Sequence, residues 1–116
     1  MFAVVIPAKN EEKSILATLT TILRLPVSYI ILVLNGCTDQ TFELARSIPD
    51  NRIHILYFSD PLGIDLPRAI GVLYARHIGA KGALFVDGDM SGDIYQNLLT
   101  IHLLYINYIC ITRQKH

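Results

Sequence analysis

The stretch "FVDGDMSGD", residues 85–93, closes an apolar run with three carboxylates, Asp87, Asp89 and Asp93. Asp87 and Asp89 have one residue between them, so both can approach one hard divalent cation only if the chain turns sharply, and Gly88 permits that turn. Magnesium or manganese held by so few carboxylates completes its octahedron with water and phosphate oxygens, which makes a diphosphate the natural ligand. The plainer reading is an acidic turn that keeps a strand end soluble, because Asp and Gly gather in turns.

A second polar segment, "NGCTDQT" (35–41), also has two readings. Asn35 offers a donor and an acceptor, which suits the edge of a nucleobase. Asn35 and Gly36 are equally ordinary turn formers, with Thr38 or Asp39 as helix caps.

The elements that must position these loops follow from apolar runs at 2–6, 29–34, 52–58 and 82–86, which read as strands. The first, second and fourth are apolar almost throughout, as strands covered on both faces should be. Between them lie segments of helical spacing. Ile15, Leu16, Leu19, Ile22 and Leu23 form a stripe behind "NEEKS", whose acidic residues suit a helix N-terminus. Phe42, Ala45 and Leu44 form a second behind "CTDQT". A third runs along Ala69, Ile70, Leu73, Tyr74 and His77, with Asp65 as cap and Pro67 in the first turn. After Asp93 the pattern predicts a helix near 94–104 and a last strand near 105–111. Alternating strands and helices predict a mostly parallel sheet in a three-layer α/β/α sandwich. Ligands of such sheets bind beyond the carboxyl ends of the strands, where strand order reverses, so "PAKNEE", "NGCTDQT", "SDPLGID" and "DGDMSGD" converge on one rim.

Composition narrows the classes. With 116 residues, 52% of them hydrophobic, the chain fits a single domain with a real core and not a disordered segment. Ten basic and ten acidic residues cancel, so no overall field draws it to nucleic acid or an anionic membrane. Cys37 and Cys110 form neither a disulfide framework nor a zinc pattern, and read as free thiols in a reducing compartment. The opening apolar run is too short for a signal peptide, and Gln96, Asn97, His102 and Asn107 argue against a membrane span at 94–111. The expected location is the cytoplasm, with a membrane-peripheral position as the alternative. A mean hydropathy of +0.40 is high for a soluble monomer and predicts covered surface: self-association or a missing partner half.

Taken in order, "VVIPAKNEEKSI", "ILVLNGCTDQTFELAR" and "GIDLPRAIGVLYARHIGAKGALFVDGDM" resemble the nucleotide-sugar-binding half of a family 2 glycosyltransferase with the GT-A fold, a Rossmann-like architecture. The likeness runs over residues 4–90, and linked motifs are far more specific than an isolated Asp-X-Asp. It implies a sugar transferase acting on a nucleotide-diphosphate sugar, a UDP- or GDP-sugar, with Mg²⁺ or Mn²⁺. By the resemblance, Pro7, Ala8, Asn10 and Glu11 line the nucleoside pocket, and Asn35 stands where the family usually has an aspartate facing the base. Arg68 matches the basic residue that reaches the nucleotide, Asp87 faces the ribose or the metal, and Asp89 is the main protein ligand of the cation.

Two departures qualify this. Asn35 removes a carboxylate, and the acceptor-binding half that normally supplies the catalytic base has no counterpart after Met90, which reads as truncation. An inverting transfer needs a carboxylate to take the acceptor's proton, and Asp93 lies too near the metal loop for that role, so no general base is identified. A non-catalytic nucleotide-binding or interaction remnant is therefore an alternative. A further alternative, phosphoryl transfer of the haloacid dehalogenase type with Asp87 as nucleophile, requires downstream lysine and acids where the chain offers only Lys115. Sugar nucleotidyltransferases open with a glycine-rich loop, and "PAKNEE" has no glycine. His54, His77, His102 and His116 show no metal-ligand spacing; Cys37 reads as a small turn residue, and Glu12 and Lys13 as a solvated helix face.

Overall fold

The computed structural model describes residues 2–63, 65–86 and 108–110. In chain order these form β1 (Phe2–Ala8), α1 (Ile15–Leu23), β2 (Tyr29–Asn35), α2 (Thr41–Arg46), β3 (Ile53–Phe58), α3 (Asp65–His77), β4 (Gly82–Phe85) and β5 (Tyr108–Cys110). The strands lie in the order β3-β2-β1-β4-β5, and every neighbouring pair is parallel. The expected last strand is present over Tyr108–Cys110, with Ile109 opposite Leu84, so β4 has a neighbour on its outer side. The expected helix near 94–104 lies outside the described residues. No helix among the described residues is long and apolar enough to cross a membrane.

Strand periodicity divides the core in two. Val4, Ile6, Ile30, Leu32, Leu34 and Leu84 join Ile15, Leu19 and Ile22 of α1 and Ala45 of α2 on one face. Ala3, Val5, Ile31, Val33 and Ala83 meet Ala75 and Tyr74 of α3 on the other. These are the three layers, with the crossovers that parallel strands require. At the end of the sheet where the strands begin, Arg52 gathers the connection from α1 to β2. Its guanidinium donates to Leu23 O at 2.8 Å, Leu25 O at 3.3 Å and Val27 O at 3.4 Å, and pairs with Asp50 at 3.1 Å.

The helices differ from expectation in phase and start. The buried face of α3 is Pro67, Gly71 and Ala75, while Leu73 is 63% exposed. Small residues face the sheet because the helix axis lies close to it: a Cβ on Gly71 would stand 2.3 Å from Val5 Cγ1 and 3.3 Å from Val33 Cγ2. A stripe chosen by hydrophobicity passes over such positions. In α1, Leu16 is exposed and Thr18 is buried in its place. The acidic residues of "NEEKS" lie before the first turn of α1, and α2 starts at Thr41, later than a Thr38 or Asp39 cap would give. Glu12, Thr38 and Asp39 each engage the neighbouring loop instead, Glu12 through the Gln40 amide, Thr38 through Asn10 and Asp39 through the Glu12 amide.

Gly71→Ala is expected to lower stability by about 1–3 kcal/mol through overpacking against Val5, despite the better helix propensity of alanine. Urea unfolding of the two proteins measures it. Equal midpoints would show that α3 can lift off the sheet without cost.

Candidate functional site

Strand order reverses between β1 and β4: β2 and β3 lie to one side of β1, β4 and β5 to the other. A crevice opens at such a switch point, beyond the carboxyl ends of the strands. The loop after β1 leaves the sheet at that end. Pro7 is the penultimate residue of β1 and half-buried; Ala8 is buried; Asn10 and Lys9 are exposed. On the β4 side, the Val86 amide donates to Val5 O at 3.0 Å, holding the strand's end against β1. Asp87, Asp89 and Asp93 follow in the chain and lie outside the described residues.

The first two loops are bonded into one rim. Asn10 has φ of 54°, a left-handed conformation that asparagine tolerates, and its Oδ1 accepts from the Thr38 amide at 2.7 Å. The Glu11 amide donates to Thr41 Oγ1 at 2.8 Å, and the Glu12 amide to Asp39 Oδ2 at 3.2 Å. In return, Glu12 Oε1 accepts from the Gln40 amide at 2.9 Å. Gln40 precedes α2, so a glutamate of the first loop serves the N-terminus of the second helix, where unpaired amides favour a negative charge. Glu12 is therefore a bridging residue, not merely a solvated helix face. Asp39 completes the turn by accepting from the Thr41 amide at 3.0 Å and from its hydroxyl.

Asn35 joins the third loop to the other two. It is only 5% exposed, with Nδ2 donating to Ala8 O at 3.4 Å and Oδ1 accepting from the Leu62 amide at 3.2 Å. Beside it, Gly36 has φ of +66°, and a Cβ there would meet the Pro61 backbone at 3.0 Å. The loop after β3 thus closes over the end of β2, and Asn35 is the peg that its backbone rests on. Arg68 sits half-buried in the first turn of α3, directly after this loop.

The structure thus brings Pro7, Ala8, Asn10, Glu11 and Asn35 together at one end of the sheet. It adds Thr41, Asp39 and Glu12, which carry the inter-loop bonds. No local sequence signal marks these contacts, because their partners lie 27 to 30 residues apart. Cys37 is half-buried; burial pushes its thiol above the ordinary value, and its Sγ donates to Ala8 O at 3.8 Å. The raised pKa disfavours the thiolate, in keeping with a small packed turn residue. Among the described residues, no three His, Cys, Asp or Glu side chains gather where they could hold a metal ion.

Partial burial pushes the Asp39 carboxyl up, but donors from the Thr41 hydroxyl and amide and the Glu12 amide outweigh it and hold its pKa below the ordinary 3.8. A depressed folded-state value means that the ionised group stabilises the fold above the unfolded-state pKa, and that this contribution is lost as pH falls through the folded value. Asp39→Ala is expected to cost about 1 kcal/mol at pH 7, with the gap from wild type narrowing below about pH 4. Thermal unfolding across that range measures it. A gap as wide at pH 3 as at pH 7 would show that ionisation of Asp39 contributes nothing.

No curated protein matches the chain. Among protein families, the one described as Glycosyl transferase family 2 matches residues 3–91. That span runs from Ala3 in β1 through β4, with the loops between them, and takes in both Asp87 and Asp89. The parallel α/β sheet is consistent with a GT-A type domain. A match of this extent spans well over half of the chain: the chain belongs to glycosyl transferase family 2.

Proposed function

We propose that this chain carries the donor-binding part of a sugar transferase and takes a nucleotide-diphosphate sugar at the crevice between β1 and β4. The observation that carries the reading is the family match through all four strand-end loops, joined to the bonded rim that those loops form at the switch point. In this reading Pro7, Ala8, Asn10 and Glu11 form the wall along the nucleoside. Asn35 holds that wall through Ala8, and its role toward the base is exerted by positioning the loops. Arg68, at the start of α3, offers a forked donor to the phosphates.

Asp87 and Asp89 would hold Mg²⁺ or Mn²⁺. Two carboxylates separated by a glycine form a hard-oxygen donor set that leaves room for phosphate oxygens, and the Val86 amide on Val5 O anchors the chain immediately before them. When bound, such a cation supplies charge neutralisation to a departing nucleotide diphosphate. Lewis-acid help of this kind is electrostatic, so it depends on how rigidly the loops hold their ligands. The cross-loop bonds meet that need for the half of the rim built from β1 and β2.

Calorimetric titration of UDP and GDP, with and without Mn²⁺, tests the proposal on wild type and Asp89→Ala. Binding of one nucleotide is expected to strengthen at least tenfold with the metal, and that gain is expected to vanish in the variant. Metal-independent binding that Asp89→Ala leaves unchanged would remove the metal role and favour a nucleotide-binding remnant. Absence of binding to either nucleotide, by protein with a cooperative unfolding transition, would overturn the donor site itself.

A further inference from the structure

Two backbone groups of opposite kind meet the Asn35 side chain. The Ala8 carbonyl can only accept and the Leu62 amide can only donate, so Nδ2 faces the first at 3.4 Å and Oδ1 the second at 3.2 Å. A flipped carboxamide would satisfy neither. Asn35 ends β2, one place beyond Leu34, whose ladder partner is Ala8 at the end of β1. Its side chain therefore carries the joint between β1 and β2 one step past the last paired residues and ties the third loop to it.

The third loop is held at the same point by two more contacts. The Gly36 amide donates to Phe58 O at 2.9 Å, and Gly36 lies so close to Pro61 that a Cβ would stand 3.0 Å from its backbone. Cys37 Sγ, 3.8 Å from the Ala8 carbonyl, is only a weak second donor to that oxygen. Asn35 is 5% exposed, with the nitrogen and the oxygen of its carboxamide both engaged by the chain. The edge that a nucleobase would need is turned into the protein.

We propose that Asn35 does not read the nucleobase: it is a positioning residue that joins the first and third loops, and its place requires a neutral group that donates and accepts at once. The inference rests on the donor-site reading and assigns this residue its task within it. A carboxylate at position 35 separates the two roles. If residue 35 read the base, Asn35→Asp would shift selection toward guanine, whose N1 and N2 hydrogens one carboxylate accepts together. If it positions the loops, the same change harms binding of any nucleotide, because a carboxylate cannot donate to the Ala8 carbonyl and leaves two oxygens opposed in a buried place. Protonation repairs that fault. A neutral carboxyl has a hydroxyl to donate and a carbonyl oxygen to accept, as the carboxamide does.

Asn35→Asp is therefore compared with wild type by thermal unfolding across pH, without ligand, and by calorimetric titration of UDP and GDP with Mn²⁺. Burial against a carbonyl raises a carboxyl's pKa in the folded state, so the penalty of the charged form holds above that folded value and is relieved as pH falls below it. The variant is expected to be the less stable at pH 7 and to approach wild type below about pH 4. Lys9, Glu11, Glu12, Cys37, Asp39 and Asp60 of the three loops are common to both proteins, so the difference belongs to residue 35. Affinity for UDP and GDP is expected to fall by one factor, about tenfold, with their ratio unchanged. Hydrogen exchange of wild type needs no variant: the Leu62 amide is expected to exchange slowly although it lies in a loop. A ratio that moves toward GDP would overturn the proposal, as would a stability gap that acid leaves untouched or a Leu62 amide that exchanges freely. Wild type that binds neither nucleotide is a different failure, since it removes the donor site itself and this task with it.

Discussion

Everything in this domain rests on β1 being buried on both faces and paired on both edges. It bonds to β2 on one side and to β4 on the other, and its residues from Ala3 to Ile6 have no accessible surface. Burial of that kind needs apolar side chains in both parities, which "FAVVI" supplies, and a helix that can come near enough to seal the second face. Gly71 provides the approach. Once β1 is fixed, the direction in which the chain leaves it is fixed too, and with it the loop that starts the rim.

The rim is built by exchange between segments and not by any one loop. Each of the first two loops hands the other a carboxylate or carboxamide: Asn10 and Glu12 accept from the second, Asp39 and the Thr41 hydroxyl accept from the first. Several of these bonds use amides that lie ahead of a helix, where the chain has no internal acceptor to offer. Capping and loop docking are therefore the same set of interactions. A change in either loop is felt in both helices.

This also explains how much could be read in the sequence. The strands, the parallel sheet and the sites of the loops follow from continuous apolar runs, a signal that survives because both faces of the sheet are covered. The face of α3 was not legible: the stripe through Ala69, Ile70, Leu73 and Tyr74 ranks residues by hydrophobicity, whereas contact at close range is made by Pro67, Gly71 and Ala75. The cap of α2 misleads for a related reason. Thr38 and Asp39 have the right chemistry for a local cap, but Thr38 is held by Asn10, and Asp39 divides its oxygens between Thr41 and Glu12. Local propensity describes what a residue can do, and the neighbouring strand decides which of these it does. Asp87 and Asp89 are legible as a chemical pattern alone, and the role proposed for them draws on the family match that spans them.

Asn35 has a consequence for the field at the rim. Its environment asks for a donor toward the Ala8 carbonyl and an acceptor toward the Leu62 amide, and a carboxamide supplies both without charge. A carboxylate of the same shape would serve only the second and would set two oxygens against each other at the first. The rim already carries Glu11, Glu12 and Asp39, so an anionic ligand arriving there approaches a surface whose negative potential is lower by one charge than an aspartate at this position would make it. Geometry that a carboxylate would bring only together with a charge is here obtained neutrally.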